Sequence, residues 1–113
     1  MAARASVALD RTFAALADPT RRMLIDRIGR KPHRAGDLCR GLSISRPAVS
    51  KHLRVLRDAG LVASDARGRE MVYRLSPASP GMMAARAYVD RVSQLWDDAL
   101  AAFKAFAERG ERQ

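Results

Sequence analysis

Leu42-Ser43-Ile44-Ser45-Arg46-Pro47-Ala48-Val49-Ser50-Lys51-His52-Leu53-Arg54-Val55-Leu56-Arg57-Asp58-Ala59-Gly60-Leu61-Val62 is the stretch of this 113-residue chain from which its fold can be read. Val49, Leu53 and Leu56 recur at i, i+4 and i+7, the spacing of one buried stripe on a helix. Ser45 precedes that stripe as an N-cap, and Gly60 follows it as the residue that enters the left-handed region at a helix end. The spacing predicts a helix over 46–59. Pro47, Ser50, Lys51 and Arg54 occupy the face opposite the stripe, with Arg46 at the start of the helix. A short helix with a small, polar and basic outer face suits the width of the DNA major groove.

Upstream, Leu9, Phe13 and Leu16 predict a helix over 6–17. Asp18-Pro19 then caps and opens a second helix over 19–29, because proline at the first helical position gives up an N–H that has no partner there anyway. Leu24, Ile25 and Ile28 face inward, and Gly29 ends the helix. Lys31-Pro32-His33 is a connector, followed by a short helix over 34–41 that points Leu38 at the core. Downstream, strands 61–64 and 70–75 flank the loop Asp65-Ala66-Arg67-Gly68-Arg69, a hairpin spanning about 61–75. Alternation in the second strand predicts that Met71, Tyr73 and Leu75 lie on its buried face. Ser76 to Gly81 reads as a linker, and a long helix fills 82–109. Helices in this order with a hairpin before the last make a mainly α (α+β) winged helix-turn-helix, expected as a single domain over 1–113 with additional helices at either end.

The balance of 21 Lys+Arg against 12 Asp+Glu leaves a net charge of +9, which favours a polyanionic partner such as double-stranded DNA. With 48% hydrophobic and 29% charged residues the chain is expected to be globular. A single cysteine, Cys39, excludes an intramolecular disulfide. Met1 to Leu9 lacks the apolar run of a signal peptide, and no segment is long and apolar enough to cross a bilayer, so a cytoplasmic location with no membrane partner is expected. Serines and two histidines occur, but no nucleophile elbow, phosphate loop or clustered acid pair accompanies them. An enzyme is therefore not expected, nor is a cofactor.

Three segments resemble the ArsR-type family of bacterial winged-helix repressors. Phe13-Ala14-Ala15-Leu16-Ala17-Asp18-Pro19-Thr20-Arg21-Arg22 is similar to the family's opening motif. Ser45 to Leu53, with Leu56 and Ala59-Gly60-Leu61-Val62, resembles its recognition region; Gly68-Arg69 followed by Tyr73-Arg74-Leu75 resembles its wing. The likeness covers roughly residues 9–76, and the tryptophan-containing last helix fits a branch of the family that does not sense metals. It implies a homodimeric DNA-binding transcriptional regulator, usually a repressor of its own or a neighbouring operon. Family members that bind metal often use a cysteine pair on the third helix or Asp and His residues on the last. Here the third helix reads Asp37-Leu38-Cys39-Arg40, with one thiol, and the last has Asp90, Asp97 and Asp98 but no histidine. No metal site is therefore expected within one protomer. A disulfide switch at Cys39 would have to be intermolecular, and the residue reads as a small apolar group at a helix contact.

On this reading Arg46 and Lys51 are candidates to contact guanine O6 and N7, and Ser50 a base or phosphate. Ser43 and Ser45 are placed for phosphates, as are Arg54 and Arg57 further along; Pro47 lies on the same face. His52 borders the apolar stripe, which favours packing or phosphate contact over base reading. Arg67 and Arg69, at the hairpin tip, are expected near the minor groove or its phosphates. Leu9, Phe13, Val92, Leu95, Trp96, Ala99, Phe103 and Phe106 exceed what so small a core can cover and are expected to form a homodimer surface. The alternative is a winged-helix protein-interaction module without specific DNA binding, against which the basic residues on the helix and hairpin argue.

Overall fold

The computed structural model describes the backbone of residues 2–111 and the side chains of residues 6–110. Its elements are α1 (Ala2–Leu16), α2 (Pro19–Arg30), β1 (His33–Arg34), α3 (Ala35–Leu38), α4 (Arg46–Asp58), β2 (Val62–Arg67), β3 (Glu70–Leu75) and α5 (Pro80–Glu111). The architecture is the winged helix-turn-helix expected, with a three-stranded antiparallel sheet in the order β1-β3-β2.

Local chemistry accounts for the helix boundaries. The Asp18 carboxylate accepts from the N–H groups of Thr20 (2.8 Å) and Arg21 (3.1 Å), closing the start of α2 just ahead of Pro19. Ser45 Oγ accepts from Ala48 N–H at 3.2 Å at the start of α4. At the other end of α4, Gly60 has φ 80°, Gly60 N–H donates to Arg57 C=O and Leu61 N–H to Leu56 C=O. That pair of bonds is a Schellman motif, which turns the chain sharply into β2.

The core forms where α1, α2, α3 and α4 meet the start of β2, around Ala15, Leu24, Ile28, Leu38, Val49, Leu53, Leu56, Leu61 and Val62. Every residue of the α4 stripe is buried, and Ile25 is half-buried at the core's edge.

Several boundaries differ from the sequence reading. α1 runs Ala2–Leu16 rather than 6–17, and its buried residues are Thr12 and Ala15; Leu9 and Leu16 are half-buried and Phe13 is turned outward. α3 is one turn, Ala35–Leu38, instead of 34–41, because Arg34 is drawn into β1, where His33 pairs with Tyr73 and Arg34 with Val72. The hairpin strands continue to Arg67 and resume at Glu70, so the connection is the two residues Gly68-Arg69 rather than five. Gly68 takes φ 62°, as the first central residue of a tight two-residue hairpin turn requires. In β3 the half-buried residues are Val72 and Tyr73, while Met71 and Leu75 are exposed, since β1 and α3 cover only the middle of the strand. α5 starts at Pro80, not 82: Ser79 Oγ accepts from Met82 N–H at 3.2 Å, the serine-proline version of the start of α2.

α5 is 32 residues long, about 48 Å of helix at 1.5 Å per residue. Only its first turns are tied down. Gly81 and Ala85 are buried, and Gly81 sits so close to Thr12 Oγ1 that no Cβ fits there. Beyond Val92 every described side chain is exposed. The radius of gyration is accordingly 19.3 Å, against about 13 Å expected for a compact domain of this length.

Candidate nucleic-acid interface

The outer face of α4 is built by the same periodicity that buries its stripe. With Val49, Leu53 and Leu56 sealed inward, Pro47, Ser50, Lys51, Arg54 and Arg57 are left in solvent. Pro47, Ala48, Ser50, Lys51 and Arg54 line a shallow open concavity on this face. Ser43 and Ser45 are exposed ahead of the helix; the Ser45 oxygen is engaged as the cap. Arg46 is exposed too, but its guanidinium folds back beside α3: a Cβ added at Gly36 would lie 3.1 Å from Arg46 Nη2. Reaching a base edge requires that side chain to swing outward.

The hairpin turn carries Arg67, Gly68 and Arg69 in solvent. It stands at the far end of β2 from the buried Val62, which anchors the strand to the core. The ion pairs fall elsewhere. Arg34 meets Glu70 at 3.0 Å, Arg40 meets Asp37 at 3.5 Å and Arg74 meets Asp65 at 3.1 Å. Among the described residues none engages Arg46, Lys51, Arg54, Arg57, Arg67 or Arg69. Arg34, Arg40 and Arg74 are thus neutralised within the protein, whereas the cations of α4 and the turn, like most of those on α1, α2 and α5, have no ion-pair partner among the described residues. Uncompensated cations on an exposed helix and a protruding turn are what a phosphate backbone attracts.

His52 lies at the boundary between core and surface. It is half-buried, with Nδ1 3.3 Å from Arg21 Nη1. Arg21 was not singled out from the sequence, since nothing in the spacing places α2 against α4; its only signal was its place in the opening motif. The backbone N–H of Arg21, opposed by partial desolvation and helped by that of Thr20 and by the nearby His52 and Arg21 charges, holds the Asp18 carboxyl below the ordinary carboxylate range.

The second surface lies along α5. Leu95, Trp96, Ala99, Phe103 and Phe106 are exposed, Phe103 by 70%, while Val92 and Leu9 are half-buried. Leu100, 58% exposed, belongs to the same face and was missed, although it stands four residues after Trp96. Phe13 packs edge-on against Tyr88, ring centroids 5.6 Å apart, joining α1 to this surface. Cys39 is half-buried and its thiol donates to Ala35 C=O at 3.5 Å. Among the described residues no three His, Cys, Asp or Glu side chains converge to hold a metal ion, and no helix is long and apolar enough to cross a membrane.

Comparison with known proteins gives consistent matches. Residues 16–65 match a family model described as a helix-turn-helix domain. The chain is 44% identical over 94 residues to the HTH-type transcriptional regulator Rv2034 of Mycobacterium tuberculosis, covering 83% of each. It is similar in structure to an ArsR-like transcriptional regulator from Rhodococcus sp. RHA1, with TM-score 0.68 and 37% identity over 90% of this chain and 94% of that one. It also shares its fold with the homodimeric winged helix-turn-helix DNA-binding domain of Mb0332 from Mycobacterium bovis, at TM-score 0.64 and 20% identity, over 82% and 86% of the two chains.

Proposed function

The chain belongs to the ArsR family of winged helix-turn-helix transcriptional regulators, and from that membership we propose that it acts in the cytoplasm as a homodimeric repressor that reads an imperfectly palindromic operator. The observation that carries this reading is that the outer face of α4 and the hairpin turn hold Arg46, Lys51, Arg54, Arg57, Arg67 and Arg69 in solvent with no ion-pair partner among the described residues. Lys51, and Arg46 once extended, read guanine edges in the major groove; Ser50 contacts a base or phosphate. Ser43, Ser45, Arg54 and Arg57 hold the backbone, and Arg67 and Arg69 follow the minor groove. The cations on these two adjoining elements argue against a protein-interaction module without specific DNA binding.

The dimer forms through α1 and α5, because a monomer leaves Leu95, Trp96, Leu100, Phe103 and Phe106 in water. That Mb0332 is a homodimer on this fold agrees with it. A two-fold pair presents two copies of α4, so the half-sites lie about one helical turn apart. With Arg54, Arg57, Arg67 and Arg69 of both protomers on phosphates, log K against log salt has a slope of about −7. Titration of the gene's own upstream duplex and a scrambled duplex at two salt concentrations tests this. Preference for the upstream duplex with a steep salt dependence is expected; equal affinity for both duplexes, or none, overturns it.

A further inference from the structure

We propose that Arg21 is a positioning residue for DNA binding: it ties the end of α1 to α4 and holds His52 as the tautomer that presents Nε2–H to a phosphate oxygen. The proposal rests on the reading of α4 as the DNA-contacting helix.

Arg21 projects from the first turn of α2 and spends its donors in three directions. Nε donates to Ala15 C=O at 2.6 Å and Nη2 to Ala14 C=O at 3.1 Å, two carbonyls of the last turn of α1, of which Ala14 C=O also accepts from Ala17 N–H at 3.3 Å. Nη1 reaches His52 Nδ1 at 3.3 Å. A guanidinium has donors only and stays protonated. His52 Nδ1 must therefore accept, and in the neutral ring the proton then resides on Nε2. Among the described residues no protein group bonds Nε2, nor is it among the buried atoms left without a partner, so it is open to solvent. A ring half-buried against α2 and held at one nitrogen offers a fixed donor next to Lys51. Fixed neutral donors of this kind set the register of a protein on the duplex. The Arg21 charge, by contrast, is directed at carbonyls inside the protein, so Arg21 supports DNA contact without neutralising a phosphate.

Two measurements on the full chain test this. Long-range 1H–15N correlation on the free protein at pH about 8.5, above the ordinary histidine range, reads the tautomer directly. The expected result is a protonated Nε2 and a bare Nδ1 at His52; a proton on Nδ1 overturns the proposal whatever any variant does. The second is fluorescence anisotropy with a labelled duplex of arbitrary sequence, about three helical turns long. His52→Leu and Arg21→Gln each weaken binding of the dimer roughly a hundredfold, about the worth of one hydrogen bond to a charged acceptor in each protomer. The double variant is no weaker than either, and the salt slope stays that of the wild type. His52→Gln, whose amide supplies both an acceptor and a donor, recovers most of the affinity. Additive losses, or a slope shallower by about 0.9 per protomer in Arg21→Gln, overturn the proposal, the latter by showing Arg21 on a phosphate itself. Should Arg21→Gln fold poorly, the two His52 variants and the tautomer still decide. If the wild type binds no duplex, the DNA reading falls with it; if the wild type binds and the His52 variants match it, only the role of Arg21 and His52 falls.

Discussion

Phe103→Ala tests the dimer where the structure makes the effect calculable. Phe103 is 70% exposed, so truncating it removes little from the protomer's own fold. In a two-fold interface the change counts twice, because the same patch serves both subunits. Full burial of a phenylalanine side chain is worth about 2.5 kcal/mol. Taking about 70% of that for each copy, less the methyl that remains, gives about 2.4 kcal/mol lost from association. Dimer Kd should therefore rise roughly 60-fold. Sedimentation equilibrium across a wide concentration range reads that constant, and circular dichroism confirms that the helices remain. An unchanged dimer constant in the variant, or a wild type that sediments as a monomer at micromolar concentration, would refute the assignment of α5 as the interface.

Removing Arg69 should weaken every duplex alike and make the salt slope shallower by about 0.9 per protomer. Lys51→Ala should instead cost about 1–3 kcal/mol per half-site on the preferred duplex and relax base preference there, as selection from a random pool would reveal. Gly60→Ala should lower stability by about 1–2 kcal/mol in urea unfolding, since any other residue is strained in the left-handed region. Gly60 has φ 80°, and its added Cβ would also stand 3.3 Å from Ser79 Cβ. Asp18, held below its ordinary pKa by the Arg21 and Thr20 N–H groups, contributes stability that is present above the unfolded-state value of about 3.9 and lost as pH falls through the lower folded value. Thermal melts from neutral pH down to strong acid should show that loss in the wild type, and Asp18→Ala should be less stable at neutral pH with a flatter acid limb. Equal acid limbs in the two proteins would sink this account of the cap.

What could be read from the sequence is what acts within a few residues along the chain. The 46–59 helix followed from a stripe at i, i+4 and i+7, a serine cap and a glycine stop, and α4 has all three. The starts of α2 and α4 were legible because a capping side chain reaches backbone only two or three residues away. The exposed face of α4 was legible as well, because burying one side of a helix leaves the other to solvent. The start of α5 carried the same serine-proline signal, but it was hidden in a segment that otherwise reads as a linker.

Tertiary structure decided what depends on a distant partner. β1 is two residues with no periodicity of their own, and it is a strand only because β3 offers an open edge. Pairing with β1 shields only the middle of β3, so Val72 and Tyr73, on opposite faces, are both half-buried while Met71 and Leu75 are exposed despite the alternation. Thr12 is buried on α1 because α5 crosses it at Gly81, and Ala15 because it faces the core, while Leu9 is half-buried and Phe13 exposed. The Arg21–His52 contact joins residues 31 apart, and no local pattern encodes it. Capping and periodicity are short-range effects written in neighbouring residues, whereas strand pairing and the choice of covered face arise only when remote segments compete for the same surface.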